Sequence, residues 1–202
     1  MAKPEEEVEK EYDVRGLQSL FGYGREAHKG SGGVCELCGC GAGSAIDFDL
    51  WRQFTVEHII GQGEGGYLPR IRAAVDRRFT HLSSDAERER LAESIHQENM
   101  RTACHFCNST TSRDGLTFTM EDVITGLPSE PDSAIDALRA RLKPILDAKR
   151  ERVKWKLRSV YRTFCAEIHP ELDKQRDRQP QLRETRHLPT LYITAPRPTN
   201  TK

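Results

Sequence analysis

Two Cys-x-x-Cys pairs, Cys35–Cys38 and Cys104–Cys107, constrain this chain more than any other feature. In a tight turn, cysteines at that spacing direct both thiolates at one tetrahedral ion. Two such turns complete a closed four-sulfur zinc site, which holds a fold together and leaves no coordination position open for catalysis. The gap between the pairs is longer than in a simple zinc ribbon, so a substantial insert must leave and return to one point. Neither pair sits in a βαβ pattern, which argues against a thioredoxin-like redox role. Cys40 could compete with Cys38 as a ligand, but the symmetry of the two pairs favours Cys38. Cys165, on the apolar side of a helical pattern, is expected in the core.

The insert contains Phe54 to Gly66, FTVEHIIGQGEGG. It starts as a strand and dissolves into glycine, with Glu57 and His58 side by side at the change. A carboxylate is a hard oxygen donor suited to Mg²⁺ or Mn²⁺. An imidazole can take a proton from water near neutral pH. Metal and general base together are the minimum equipment for hydrolysing a phosphodiester.

The order of these residues carries a resemblance. Cys35-x-x-Cys38 is followed by Glu57-His58-Ile59-Ile60 and Gly65-Gly66. An isolated Asn99 comes next, and then Cys104-x-x-Cys107-Asn108. From about residue 23 to 115 this resembles the HNH endonucleases with a ββα-metal fold. The resemblance implies an α+β core stapled by zinc through Cys35, Cys38, Cys104 and Cys107. His58 would be the general base. Glu57 and Asn108 would hold the catalytic Mg²⁺ or Mn²⁺, and Asn99 would hold the loop that carries the base. DNA would be the substrate. The chain departs from the family in four places. Glu57 stands where Asp is usual, Gly61 where Pro is frequent, and Thr111, with Arg113 nearby, where Lys is frequent. The stretch from His58 to Asn99 is also longer, and carries an additional helix near residues 84–97. These departures keep a rival reading in view, a catalytically inactive, zinc-stabilised DNA-binding module. A structural assembly protein without nucleic-acid affinity is a more distant one.

The remaining sequence sets the organisation. Residues 1–20 are an acidic lead, 21–127 the candidate nuclease domain, 132–170 a helical extension and 171–202 a basic tail. AIDFDLWRQFTVEHII alternates as a β-hairpin or a bent strand pair would. Ser84 and Glu87 form a capping-box pattern, and a short helix is expected from near Cys107 to Gly115. Asp132 or Ser133 can cap a new helix. Ala134, Ile135, Leu138, Leu142, Ile145 and Leu146 mark one apolar stripe. Val153, Leu157, Val160, Tyr161 and Phe164 continue it, with Pro144 expected to kink or divide the helix. That C-terminal helix is a candidate homodimer face.

Net charge is zero over 202 residues, yet basic residues prevail after Arg139, so a polyanion partner is compatible. Arg70, Arg72, Arg77, Arg78 and Arg113 are candidate phosphate contacts, as are Arg25, His28 and Lys29 beside Tyr23. His81, His96 and His105 read as surface or turn histidines. No stretch has the length and apolarity of a membrane span, and MAKPEEEVEKEY lacks the apolar core of a signal peptide, so a cytoplasmic location is expected.

Overall fold

The computed structural model describes residues 18–43, 48–111 and 115–178. It is α+β, mostly helical with one two-stranded sheet. Strand β1 (Phe54–His58) pairs antiparallel with β2 (Met100–Cys104), in a register that sets Phe54 opposite Cys104 and His58 opposite Met100. Among the described residues, none before β1 pairs with it as the expected hairpin would. Phe48–Trp51 is a short helix instead, and β1 finds its partner more than forty residues downstream. Both strands are almost wholly buried, so the sheet depends on helices packed around it and not on a local turn.

The connection between the strands is helical. Taking Gln18–Phe21, Gly24–Gly30 and Phe48–Trp51 as α1 to α3, the helices α4 (Leu68–Arg78) and α5 (Asp85–Asn99) fill the insert. Pro69 sits in the first turn of α4, where its missing N–H is not needed. Ser84 and Glu87 form the expected capping box on α5, with the Ser84 N–H donating to Glu87 at 3.4 Å. The chain then enters β2 without a loop, and β2 runs directly into α6 (His105–Thr111), two residues earlier than the sequence suggested. Gly115 lies beyond that helix.

Helix α7 (Met120–Thr125) has its own cap, with Thr119 Oγ1 accepting from the Asp122 N–H. Helix α8 (Pro131–Thr163) begins where Glu130, not Asp132 or Ser133, accepts a first-turn N–H, that of Ser133, at 2.7 Å. Pro144 does not divide α8. Its ring and Ala140, whose carbonyl loses its i+4 donor, both face solvent, so water can take the orphaned bond. Across the helix, Leu138, Leu142 and Leu146 are buried and hold both halves on one line. The core gathers Ile59, Ile60, Ile71, Val75, Phe79, Ile95, Ile124, Leu127, Leu138 and Leu142.

The chain divides into two compact units, residues 1–154 and 155–202, so the first part of α8 belongs with the sheet. In the second unit α8 passes through a π-helical turn, Phe164–Ile168, into α9 (His169–Arg178). Trp155, Val160, Tyr161, Phe164, Ile168 and Leu172 are exposed there, and Arg158 covers the Trp155 ring at 5.0 Å. Cys165 is also exposed, contrary to its expected place in a core. Among the described residues of this unit, none of the apolar stripe after Val153 is buried. No helix among the described residues is long and apolar enough to cross a membrane.

Candidate active site and cysteine cluster

The sulfurs of Cys35, Cys38, Cys104 and Cys107 lie within 4.8 Å of one another, and the group could hold one metal ion such as zinc. Cys38 and Cys104 are 3.9 Å apart. Two thiolates at about 2.3 Å from a tetrahedral zinc are separated by about 3.8 Å, so the spacing already suits an ion. Local structure explains the convergence. Cys104 ends β2 and Cys107 lies one turn into α6. The Cys35 turn is closed by Gly39 N–H to Cys35 O and Cys35 N–H to Cys40 O, with Gly39 at φ 78°, where a side chain would be strained. Glu36 docks this turn on β2. Its N–H donates to Thr102 O, and its carboxylate accepts from the Thr102 N–H, both at 2.9 Å. The thiols hydrogen-bond to one another, and bonds from Cys104, Cys107 and Cys38 push the Cys35 thiol far below its ordinary range. Cys40 is exposed and stands outside the cluster.

At the end of β1 the chain turns through Ile60 to Gly66, held from behind by Asn99. The Asn99 Oδ1 accepts from Ile60 N–H at 2.8 Å, and its Nδ2 donates to Ile60 O at 3.0 Å and Gly66 O at 2.9 Å. Asn99 is fully buried, so these bonds have no water to replace them. Gly66 is required by this clamp. A Cβ there would fall on the Ile60 carbonyl and crowd the Asn99 amide. Asn99→Ala removes all three bonds and is expected to lower unfolding free energy by about 3 kcal/mol. Denaturant unfolding at saturating zinc measures it, and a change under about 1 kcal/mol would mean that backbone packing alone holds the turn.

Glu57, His58, Asn108, His105, Glu64 and Lys149 all line one open cavity of about 440 Å³ beside this turn. Asn108 reaches it from α6, with its Nδ2 donating to Thr55 Oγ1, which leaves the amide oxygen as the group offered to a cation. Glu57 is only 2% exposed and pairs with the ammonium of Lys149, which also donates to the His58 carbonyl at 3.0 Å. His58 is 7% exposed, and its Nε2 lies 3.3 Å from Nε2 of His96. Burial, with the charges of His96 and Lys149 adding to it, pushes the His58 imidazole down to about 4. It is therefore neutral and carries a lone pair at neutral pH. His96 is lowered too, by burial and then by Arg72.

Two residues of this arrangement escaped sequence reasoning. His96 reads as a helix-surface residue, yet it is buried against His58. Its 3–4 spacing from Ala92 and Asn99, both buried on α5, was the available signal. Lys149 lies in a strongly basic stretch of α8, where one lysine is not distinguished from its neighbours. Its place on the stripe, three residues after Leu146, was the only hint.

The candidate phosphate contacts are dispersed. Arg72 pairs with Glu89 and Arg77 with Glu121, while Arg78 donates to the carbonyls of Thr125 and Leu127. Arg70 remains beside the glycine turn, near Gln62, Gly63 and Glu64. His28 is buried against Thr102, while Lys29 pairs with Glu26 on the surface. Arg113 lies outside the described residues. Comparison with protein-family models, with curated proteins and with solved structures finds no match for this chain.

Proposed function

We propose that this chain is a metal-dependent endonuclease of the HNH type, with a zinc-stapled ββα-metal core, hydrolysing DNA phosphodiesters. One observation carries the reading. Asn108, far in sequence from the adjacent Glu57 and His58, lines one open cavity with them, and the turn behind the base is clamped by Asn99. The strand–strand–helix order of β1, β2 and α6 supports it, as does the cysteine cluster at the junction of β2 and α6.

The donors suit a hard divalent ion. A carboxylate and an amide oxygen face one open space, and Mg²⁺ characteristically takes one or two protein oxygens and fills its remaining positions with water and phosphate. When bound, such an ion supplies charge stabilisation to the scissile phosphate and the leaving oxygen. His58 takes a proton from a water in the cavity. The water O–H bond breaks and an N–H bond forms on the ring. The oxygen so released attacks phosphorus, the bond to the leaving oxygen breaks with its electron pair, and solvent protonates that oxygen. Asn99 keeps the turn that follows His58 in place while this happens. Plasmid cleavage in Mg²⁺ or Mn²⁺, by the wild type and by His58→Ala, tests the reading.

Lys149 favours a second reading. Its ammonium already balances Glu57, as it would in a DNA-binding module that needs no catalytic ion. The two readings part at Lys149→Met. Removing one partner of a buried pair costs about 3–5 kcal/mol, because the other charge loses its buried counter-charge. If Glu57 is a ligand, millimolar Mn²⁺ should restore much of the lost melting temperature in Lys149→Met and change the wild type less. A variant that does not respond to Mn²⁺ supports the binding module.

A further inference from the structure

His58 sits at the end of β1 and His96 in the last turn of α5, and their rings meet through nitrogen. The Nε2 atoms are 3.3 Å apart, while the ring centroids stand 5.4 Å apart. Tyr23 borders both rings, at 6.3 Å from each. At that separation the two nitrogens share one proton, carried by one ring and accepted by the other. His58 lines the cavity and His96 does not. With Nε2 of His58 engaged by His96, Nδ1 is the ring nitrogen left for the cavity.

We infer that His96 is the positioning residue for the base. Its Nε2 accepts the proton on His58 Nε2, and so fixes His58 in the tautomer whose Nδ1 lone pair meets the attacking water. This rests on the nuclease reading and names a part of its site. A metal-bound or catalytic histidine needs its second nitrogen held, because the partner of that nitrogen decides the tautomer. His96 is that partner here. In the reaction the water O–H bond breaks and His58 Nδ1–H forms. The resulting imidazolium already directs Nε2–H at a neutral acceptor, which spreads its charge. The hydroxide oxygen then bonds phosphorus as the leaving oxygen departs with its electron pair and takes a proton from solvent.

The test uses the full chain with zinc bound, uniformly ¹⁵N-labelled, with the His58 ring signals assigned by their loss in His58→Ala. In the wild type, His58 should show a protonated Nε2 and a bare Nδ1. His96→Gln keeps an acceptor oxygen, and should keep that tautomer and cleave plasmid within about tenfold of wild type. His96→Leu keeps bulk without an acceptor. It should mix the tautomers and slow cleavage by about 100-fold, the usual scale for loss of a partner behind a site residue. If leucine prevents folding, His96→Asn, too short to reach, takes its place. A wild-type His58 protonated on Nδ1 overturns the inference, as does a leucine variant with unchanged tautomer and rate. A second zinc per chain that is lost in His96→Leu also overturns it, because the rings would then be ligands of one ion. If the wild type cuts no DNA, the nuclease reading falls, and the ¹⁵N signals still decide whether His96 orients His58.

Discussion

His58→Ala should abolish plasmid cleavage while leaving zinc content and the cooperative unfolding transition in place. Loss of a general base ordinarily lowers rate by 10²–10⁴-fold. The effect here should lie at the upper end, because among the described residues the two imidazoles nearest the ring are not placed to replace it. His105 lines the same cavity but is exposed on α6, and His96 lies behind His58. The pH profile provides a second readout of the same group. Protonation removes the lone pair, and burial holds the His58 imidazole down to about 4. Cleavage should therefore stay level as pH falls through 6.5, the ordinary histidine range, and decline only as it approaches 4. A decline centred near 6.5 would mean that the base is a solvated histidine elsewhere. Undiminished cleavage by the alanine variant would remove the chemistry from β1 altogether, whatever the zinc content.

What could be read from sequence was what depends on residue identity at short range. The cysteine pairs, the Glu57-His58 step, the capping box at Ser84 and the apolar stripe of α8 are all local patterns. Long-range pairing could not be read. β1 looks like half of a hairpin because its alternation says nothing of which strand it will meet, and the partner lies beyond two helices. Asn99 is an ordinary helix-end residue by propensity, and only the resemblance gives it a loop to hold. Only the turn folded against it reveals three hydrogen bonds with no solvent substitute. His96 and Lys149 are polar residues on helices whose polar faces normally meet water. Each is buried because the sheet end and cavity lie under that helix face, a fact of tertiary docking. Pro144 misleads for the opposite reason. The rule about proline concerns one lost bond and a ring clash, and an exposed site with a packed leucine row opposite can absorb both. The stripe beyond Val153 has helical spacing too, but spacing identifies a face and not what covers it.

Removing the metal from the cysteine cluster should be the most disruptive change, and its pattern is as informative as its size. Cys107→Ser breaks a site whose four sulfurs tie together the Cys35 turn, the end of β2 and α6. Structural zinc supplies about 10–16 kcal/mol in small zinc modules, comparable with the whole stability of a typical domain. This chain differs from such modules in burying many side chains outside the cysteine turns, among them Ile71, Val75, Phe79, Ile95, Leu127 and Leu138, with α4 packed against α5 and α7. Partial unfolding is therefore expected. Helix α6 has seven residues, too few to persist alone. The Cys35 turn is anchored elsewhere chiefly by Glu36 on Thr102. Amides of residues 35–40 and 105–111 should lose hydrogen-exchange protection, while α4 and α5 keep theirs. Asn108 would leave the cavity with α6, so cleavage should disappear although His58 is untouched, and excess Mg²⁺ should not restore it. One zinc per wild-type chain and none in the variant completes the expected result. Zinc-free wild type with full protection over residues 105–111 would show four buried thiols packed as a small apolar core. In that case the strand–helix junction is held by side-chain packing alone, and the catalytic reading loses the element that brings Asn108 to Glu57 and His58.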